Sequence, residues 1–330
     1  MVNDILKIAS IYTAIILGAG FASGQEIATF FTRHGSYGLV GILISGVIFS
    51  TVGYIILDIA ETKRIDTANV FGHTVFKQFM QYVKFINEVF LFIVYFTMLS
   101  ASGATLNQEF NCHYIWGILF MAVICIIAYR LGTNFVAKIN FLICPILFVG
   151  IILTTLITIK KNSISVFVMK NKNWLKDALL YPAYNIVPSI SVLVPIINTV
   201  RDKKNAKYGA AVGGVFMTIL GLLIALALPT NFKTQIPMLT VADNLSAQMK
   251  YFYLLIFLLA MFSTAIGSFF GLCEQLQKRI PCPDFFVLIG GILFANIDFA
   301  SLVAIVFPIF GYIGLAQIIL IFAFYWYASK

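Results

Sequence analysis

The sequence predicts an all-α polytopic membrane protein with about ten transmembrane helices, and its length and composition carry this prediction. Of its 330 residues, 61% are hydrophobic and only 11% are charged, and the mean hydropathy is +0.96. Soluble proteins have about 45 to 50% apolar and about 25% charged residues. A membrane-spanning helix takes about 20 apolar residues. The chain therefore accommodates about ten spans and leaves no room for a soluble catalytic module.

Charged residues and Gly/Pro-rich breaks divide the chain into ten apolar segments. These segments must be helices, because a backbone in lipid has to satisfy its own hydrogen bonds and the alternation of a β-barrel is absent. The first segment has no small-residue cleavage pattern, so we interpret it as a span rather than a signal peptide. In chain order, the predicted spans are 7–32, 36–58, 81–106, 113–129, 136–159, 175–198, 207–229, 247–275, 284–297 and 300–327.

The distribution of basic residues predicts that both termini are cytoplasmic. Fourteen of the 22 Lys and Arg residues fall on the side of the N-terminus and eight on the other side. Cytoplasmic loops carry an excess of Lys and Arg. The bias is incomplete, since five of the eight lie in the loop after span five, namely Lys160, Lys161, Lys170, Lys172 and Lys176. The net charge of +9 is assigned to loops that face anionic headgroups, not to nucleic acid.

Enzymatic and metal-binding motifs are absent from the sequence. The five cysteines are odd in number and lack metal-type spacing, so no disulfide and no transition-metal site is predicted. We expect solvated loop histidines at His34, His73 and His113. There is no phosphate loop and no nucleophile, base and acid set, so neither an enzyme nor an ATP-driven pump is predicted. The cysteines are Cys112, Cys125, Cys144, Cys273 and Cys282.

An internal repeat divides the chain into two halves of five helices. Pro145 in span five and Pro308 in span ten lie 163 residues apart. The glycine-rich part of span one and the proline-rich part of span six have about the same separation. Because five is odd, the second half enters the membrane from the opposite side, and the repeat is inverted. The predicted units are 1–160 and 161–330, and broken first helices in inverted repeats are typical of secondary transporters.

Three glycines predict a break in span one. Gly18, Gly20 and Gly24 lie about 11 to 17 residues beyond Lys7, between mid-membrane and the outer half. Glycines favour unwinding, which exposes main-chain amides and carbonyls to a ligand such as a carboxylate beside a cation. The alternative is that the glycines only allow close helix packing.

Span six is predicted to break as well. Pro182 and Pro188 each remove a helical hydrogen bond, and Asn185 between them is costly to leave in lipid. Tyr184 and Asn185 are suited to line a cavity. The alternative is a proline kink without ligand contact.

Six small residues of span eight share one helix face. Their spacing is i, i+3, i+4, i+7, i+8 and i+11. The adjacent hydroxyls of Ser263 and Thr264 offer neutral oxygens to a hard cation, whereas the alternative is a stripe that serves helix packing. The six are Ala260, Ser263, Thr264, Gly267, Ser268 and Gly271.

Together these features resemble the LeuT-type fold of the amino acid-polyamine-organocation superfamily. The string Gly-Ala-Gly-Phe-Ala-Ser-Gly-Gln-Glu at 18–26 is similar to that of the YkvI-like bacterial membrane proteins. In sodium-coupled members of the superfamily, the broken first helix and the eighth helix hold one sodium ion. The resemblance implies sodium ligands at Gly18, Phe21, Ala260, Ser263 and Thr264. It implies substrate contacts at Ala19, Gly20, Ser23, Gly24, Tyr95, Tyr184 and Asn185.

Two departures limit the resemblance. Proton-coupled relatives can carry a lysine of the fifth helix in the sodium position, and no lysine occurs between Ile139 and Ile159. Metal-ion relatives carry Asp-Pro-Gly and Met-Pro-His strings at the two breaks, and neither is present. Transition-metal transport is therefore not predicted.

Two glutamates within apolar segments are candidates for gating or coupling. An ionisable residue inside a membrane span is a functional candidate by default. We expect Glu26 near the outer edge of the membrane core and Glu88 on the cytoplasmic side, too far apart to pair. The alternative for each is an interfacial glutamate, solvated or paired with Arg33 or Lys84.

The resulting hypothesis is a secondary active transporter in the bacterial cell membrane. Its substrate is a small zwitterionic solute, an amino acid or derivative, carried by alternating access coupled to sodium or protons. The implied partners are this solute and the lipid bilayer, and a sodium ion is the one bound group that the resemblance implies. The alternative is an amino-acid-sensing receptor subunit that resembles spore-germination permease-like proteins. The sequence does not determine the oligomeric state.

Overall fold

The computed structural model describes residues 2–63, 77–161, 173–197, 200, 203–229, 234–277 and 279–328. Helices account for nearly all of these residues, as the sequence predicts, and none of them is in a strand. These described residues form thirteen α-helices and the 3-10 turn Thr32–His34. The α-helices are α1 Val2–Ile16, α2 Ala19–Ala22, α3 Gln25–Phe30, α4 Ser36–Lys63, α5 Lys77–Phe110, α6 Tyr114–Leu131, α7 Thr133–Lys161, α8 Trp174–Ile196, α9 Lys203–Ala227, α10 Pro237–Leu245, α11 Ala247–Leu276, α12 Pro283–Phe294 and α13 Phe299–Ala328.

Seven of the described helices are long and apolar enough to cross a membrane: α4, α5, α6, α7, α9, α11 and α13. The other three predicted spans are different in form. The first is divided into α1, α2 and α3, the sixth is α8, and the ninth is α12, which has only 12 residues. At about 1.5 Å per residue, α12 extends about 18 Å and is shorter than the bilayer core. The short helix α10, between the seventh and eighth spans, was not predicted.

Ion pairs lie near both ends of the helix bundle. Lys207 of α9 binds Asp58 of α4 at 2.5 Å, near the end that carries the N-terminus. At the opposite end, Lys250 of α11 binds Glu109 of α5 at 2.9 Å and Asp243 of α10 at 3.3 Å. Charges are least costly at these positions, because water and headgroups are close. The lysines Lys170 and Lys172 and the predicted loop histidine His73 lie outside the described residues.

The broken first helix passes through the centre of the bundle. Its side chains Tyr12, Phe21 and Phe30 are almost completely buried. α1 packs against α8 and α9, α2 packs against α11, and α3 packs against α8, α10 and α13. Every polar group that the break exposes therefore faces protein rather than lipid.

The prediction of a break in the sixth span is wrong. α8 continues as one helix through Pro182 and Pro188. Pro182 has no N–H to donate to the carbonyl of Ala178, and Ser45 of α4 donates its hydroxyl to that carbonyl at 2.7 Å. A proline is tolerated in a membrane helix when a neighbouring side chain satisfies the freed carbonyl in this way. The amide of Asn185 is also satisfied within the helix, since Nδ2 donates to Tyr181 O at 3.0 Å.

The proposed boundary between the repeats coincides with an element end. Residue 160 lies at the last turn of α7, and the tenth span ends with α13. Because the break occurs in the first span but not in the sixth, the two halves differ at the position where the sequence predicts a match. The inverted relation of the units 1–160 and 161–330 stays a prediction.

Candidate ligand site at the broken first helix

The first span is interrupted twice, which confirms the predicted break. α1 ends at Ile16, and Gly18 has an extended backbone before α2 begins. α2 ends at Ala22, and Gly24 then adopts a left-handed conformation with φ of 78° before α3 begins. The left-handed region is readily accessible only to glycine. The glycines therefore produce unwound backbone at the centre of the protein, with α2 as a single turn of helix between the two interruptions.

The first interruption lies against the hydroxyl of Thr264 on α11. The Ala19 amide donates to Thr264 Oγ1 at 3.2 Å, and this hydroxyl donates to the Ala260 carbonyl at 2.9 Å. A Cβ atom added at Gly18 would lie 3.3 Å from the same oxygen. Three of the five predicted ion ligands, Gly18, Ala260 and Thr264, are thus in one place.

The other two predicted ion ligands are engaged elsewhere. The Phe21 carbonyl accepts the Gly24 amide at 3.0 Å, within the turn that ends α2. Ser263 donates its hydroxyl to Asn140 Oδ1 of α7 at 3.0 Å. Asn140 was not predicted as a site residue, because only its position next to Ser263 distinguishes it from other polar residues of the fifth span.

The second interruption is covered by α10 and α11. The Met238 amide of α10 donates to the Ser23 carbonyl at 2.9 Å, and Tyr253 of α11 donates its hydroxyl to the Ala22 carbonyl at 2.6 Å. A Cβ atom added at Gly24 would lie 2.7 Å from Met238 Cγ. These contacts were not predicted, because nothing local in the sequence places Met238 or Tyr253 against a segment more than 200 residues away.

Most of the predicted substrate residues lie at this break. Ser23 donates its hydroxyl to the Gly20 carbonyl at 2.8 Å and accepts the Gln25 amide at 3.1 Å. Tyr184 of α8 stacks on Phe30 of α3, with ring centroids 5.7 Å apart. α8 thus packs against α1 and α3, on either side of the segment that contains Ala19, Gly20, Ser23 and Gly24.

Tyr95 is placed differently. Its ring packs on Phe269 of α11, with centroids 5.0 Å apart, and against Gly291 of α12. Phe269 follows Thr264 by five residues, so it lies about 7 Å further along α11. These neighbours lie on α11 and α12, at a different depth from the break, and the contact of Tyr95 with a substrate stays a prediction.

Glu26 is buried at the start of α3. Its exposed fraction is 5%, and its Oε1 lies so close to Gly20 that a Cβ atom there would be 2.0 Å away. Tyr181 and Tyr184 of α8 lie near its carboxyl group, but neither hydroxyl forms a hydrogen bond with it. Glu26 Oε2 and both tyrosine hydroxyls are buried without a hydrogen-bond partner among the described residues. The alternative of an interfacial glutamate, solvated or paired with Arg33, is therefore wrong for Glu26.

Arg33 instead forms an ion pair with Asp177 of α8. His34 is fully buried, and its Nε2 lies 2.7 Å from the same carboxylate. The expectation of a solvated His34 is wrong, because the turn after α3 packs onto the start of α8 rather than facing water. Asp177 was not predicted, since an acidic residue near a helix start is also typical of an exposed end.

Glu88 is bound to Arg279, at 3.0 Å. Arg279 lies between α11 and α12, at the end of the bundle that carries the termini. The alternative of an ion-paired interfacial glutamate therefore fits Glu88, with Arg279 as its partner.

Gly267 differs from the expected packing stripe on span eight, since it is exposed and has nothing within 4 Å of an added Cβ atom.

Solved structures with a similar backbone define the fold class. A mutant of the manganese transporter of Eremococcus coleocola matches with a TM-score of 0.64 and 11% identity, covering 95% of this chain and 78% of that chain. The inward-facing conformation of Mhp1 matches with a TM-score of 0.53 and 16% identity, covering 97% and 73%. The chain therefore has the LeuT-type fold of these transporters.

Curated relatives are similar over almost their whole length. The uncharacterized membrane protein YkvI of Bacillus subtilis is 29% identical over 326 residues, which covers 94% of this chain and 93% of YkvI. The uncharacterized protein YyaD of the same organism is 21% identical over 312 residues, covering 91% and 90%. No family model matches the sequence. The chain is a membrane protein with a LeuT-type fold that is similar to YkvI.

Proposed function

We propose that the protein is a secondary transporter that carries a small zwitterionic solute, an amino acid or close derivative, by alternating access. One observation carries the proposal: the first span is unwound at the buried centre of a LeuT-type fold, where three separate elements contact it. These elements are α8, α10 and α11. Unwound backbone inside a membrane protein is tolerated only where protein or a cavity surrounds it, and in transporters it forms the binding site.

The groups around the break suit a solute that has both a carboxylate and an amine. Unwound backbone supplies amide donors and carbonyl acceptors on opposite sides of the same peptide. The Tyr184 hydroxyl is buried without a hydrogen-bond partner among the described residues, so it would be available to a ligand. Asn185 and Ser23 now bond to backbone carbonyls and would exchange these bonds for bonds to the solute. A membrane site that depends on backbone dipoles favours a compact zwitterion over a highly charged ion.

The contacts over the second interruption suggest how access alternates. The bonds from Met238 to Ser23 and from Tyr253 to Ala22 hold α10 and α11 over the break. In the proposed transporter they would close the route from the end of the bundle opposite the termini. In a transporter these few bonds would open when the site faces that end and re-form when it faces the other.

We assign a sodium ion, if sodium is the coupling ion, to the first interruption. Its ligands would be the carbonyls of Gly18, Phe21 and Ala260 and the hydroxyls of Ser263 and Thr264. The proximity of Gly18 to Thr264 supports this assignment. Asn140 would serve as a further oxygen that orients Ser263. Neutral oxygens are the ligands that hard cations prefer.

A ligand screen followed by transport tests this proposal. Thermal shifts of the purified protein with each of the common amino acids, with and without sodium, identify the solute, since ligands that bind the native state stabilise it. The solute should then accumulate in proteoliposomes against its gradient. Alanine at both Ser263 and Thr264 should remove any sodium dependence of transport. A matched Thr158→Ala variant on α7 should keep the sodium dependence of the wild type.

Two results would contradict the proposal. Solute binding without flux would favour the receptor subunit, in which the same site reports a ligand rather than moving it. Full sodium dependence in the double alanine variant would place the ion elsewhere.

A further inference from the structure

We propose that Glu26 is a proton-binding site and that the closed packing of α3 against α8 forms only when its carboxyl group carries a proton. The proposal rests on the proposed transporter function in one respect: it makes a proton part of the coupling. The protonation itself does not depend on which solute is carried.

The carboxyl group of Glu26 has close neighbours on two sides. Oε1 lies against the Cα of Gly20, where an added Cβ atom would be 2.0 Å from it and 2.8 Å from Cδ. The rings of Phe30, Tyr181 and Tyr184 form a triangle on the α8 side, with centroid distances of 5.4, 5.6 and 5.7 Å. Rings at these distances touch one another. On these two sides an ammonium or guanidinium group has no space beside the carboxyl group, whereas a proton requires none.

The basic residues nearest to Glu26 along the chain are paired with another carboxylate. Arg33 and His34, in the turn after α3, are the nearest basic residues along the chain, and both bind Asp177 of α8. The titratable side chains that α8 presents to Glu26 itself are the phenols of Tyr181 and Tyr184.

The other elements packed against α3 present no cation to it within the part of the chain that the structure describes. On α10, Asp243 is turned to Lys250 of α11. On α9, Lys207 lies at the far end and binds Asp58. On α13, Tyr312 is exposed. An unpaired carboxylate in a membrane interior is costly, so the neutral, protonated form fits this packing.

Loss of the proton from Glu26 would change the conformation through two tyrosines of α8. The hydroxyls of Tyr181 and Tyr184 lie near Glu26 but form no hydrogen bond with it. When the proton leaves, the carboxylate requires hydrogen-bond donors, and these two hydroxyls are the donors at hand. Drawing them in would separate the ring triangle that packs α3 onto α8. Release of the proton would thereby loosen the closed form.

A measurement without any solute tests the protonation. Thermal unfolding in detergent is followed from about pH 5 to about pH 8. The proteins compared are the wild type, Glu26→Gln and a control, Glu274→Gln, in which the substituted side chain is exposed. Because the closed form binds the proton, wild type and Glu274→Gln should lose stability as the pH rises. Glu26→Gln, which resembles the protonated acid, should have a flatter profile. Equal slopes in all three proteins would overturn the proposal.

Transport tests the coupling. Proteoliposomes loaded with a pH-sensitive dye receive a mixture of the twenty common amino acids, radiolabelled, under an imposed pH gradient. Glu26→Gln should keep solute exchange at zero gradient and lose gradient-driven accumulation and the accompanying proton flux. Accumulation that follows the gradient in Glu26→Gln would exclude Glu26 as the coupling site.

The unfolding and transport experiments distinguish a failure of the proposed function from a failure of the protonation proposal. If wild type moves none of the solutes, the proposed function fails, while the unfolding profiles still decide the protonation. If Glu26→Gln does not fold, Glu26→Asp replaces it. That variant keeps a carboxyl group and should keep a pH-dependent profile, and loss of the dependence in Glu26→Asp would contradict the proposal.

Discussion

Single residues at the break have distinct physical roles, and two glycines illustrate the difference. Gly24 is required by its backbone conformation, with φ of 78°. Gly20 is required by its neighbour, because the Glu26 carboxyl group occupies the volume of a Cβ atom. The same residue type therefore serves a turn in one case and a close approach in the other. The sequence predicted that these glycines interrupt the helix but not which group lies against each.

Gly24→Ala should impair transport more than its size suggests. A non-glycine residue in the left-handed region costs about 1 to 3 kcal/mol, and the new Cβ atom would lie 2.7 Å from Met238 Cγ. We expect loss of solute uptake, with the folded protein retained in detergent. Gly267→Ala is the matched control, since an added Cβ atom there meets nothing within 4 Å. Uptake at wild-type rate by Gly24→Ala would show that the contact of α10 with the break is dispensable.

Glu26 and His34 show what local patterns could not reveal. Both are polar residues near the end of an apolar segment, where an interfacial position is the usual outcome. His34 is instead buried beside Asp177, and Glu26 is buried beside two tyrosines. In each case the partners belong to α8, more than 140 residues later in the chain. Burial of a polar side chain depends on such distant packing, which composition does not encode.

At the scale of elements, α8 is a continuous helix although it contains prolines. The sequence contains two prolines six residues apart, and each removes a backbone donor. The prediction of a break assumed that the freed carbonyls lack partners. Ser45 of α4 supplies one for Ala178, and the helix continues. A serine in a neighbouring span thus supplies the hydrogen bond that Pro182 removes from the helix.

A double-mutant cycle tests this explanation of α8. Ser45→Ala should destabilise the protein by about 0.6 to 1.7 kcal/mol, the average and the maximum measured for hydrogen bonds between the helices of a membrane protein. Pro182→Ala restores a backbone donor to the Ala178 carbonyl, so Ser45→Ala should cost much less in that background. The free energy of unfolding of all four proteins in mixed micelles provides the cycle. Additive effects would mean that Ser45 does not replace the missing backbone bond.

At the scale of the whole molecule, the described ion pairs place α4 antiparallel to α9 and α5 antiparallel to α11. Lys207 with Asp58 and Arg279 with Glu88 belong to the end that carries the termini, and Lys250 with Glu109 belongs to the other end. Basic residues are more frequent on the terminal side of the sequence, which favours a cytoplasmic position for that side. The orientation itself stays a prediction.

Two exposed cysteines allow a test of the orientation. Cys112 follows α5 and Cys282 precedes α12, so they lie at opposite ends of the bundle, and both are exposed. In intact cells an impermeant maleimide should label a variant that retains only Cys112. A variant that retains only Cys282 should be labelled only after permeabilisation. The reverse pattern would place both termini outside the cell.

The sequence by itself determined the membrane class, the approximate position of every span and the break in the first helix. These follow from hydrophobicity and from the backbone freedom of glycine, which are properties of a residue and its near neighbours. Only the tertiary structure decided that α8 stays continuous, that Tyr95 packs away from the break, that α10 covers Gly24 and that Glu26 is enclosed by aromatic rings. The physical reason is that a polar group in a membrane is satisfied by whichever partner packing brings to it, and that partner is often more than 100 residues distant.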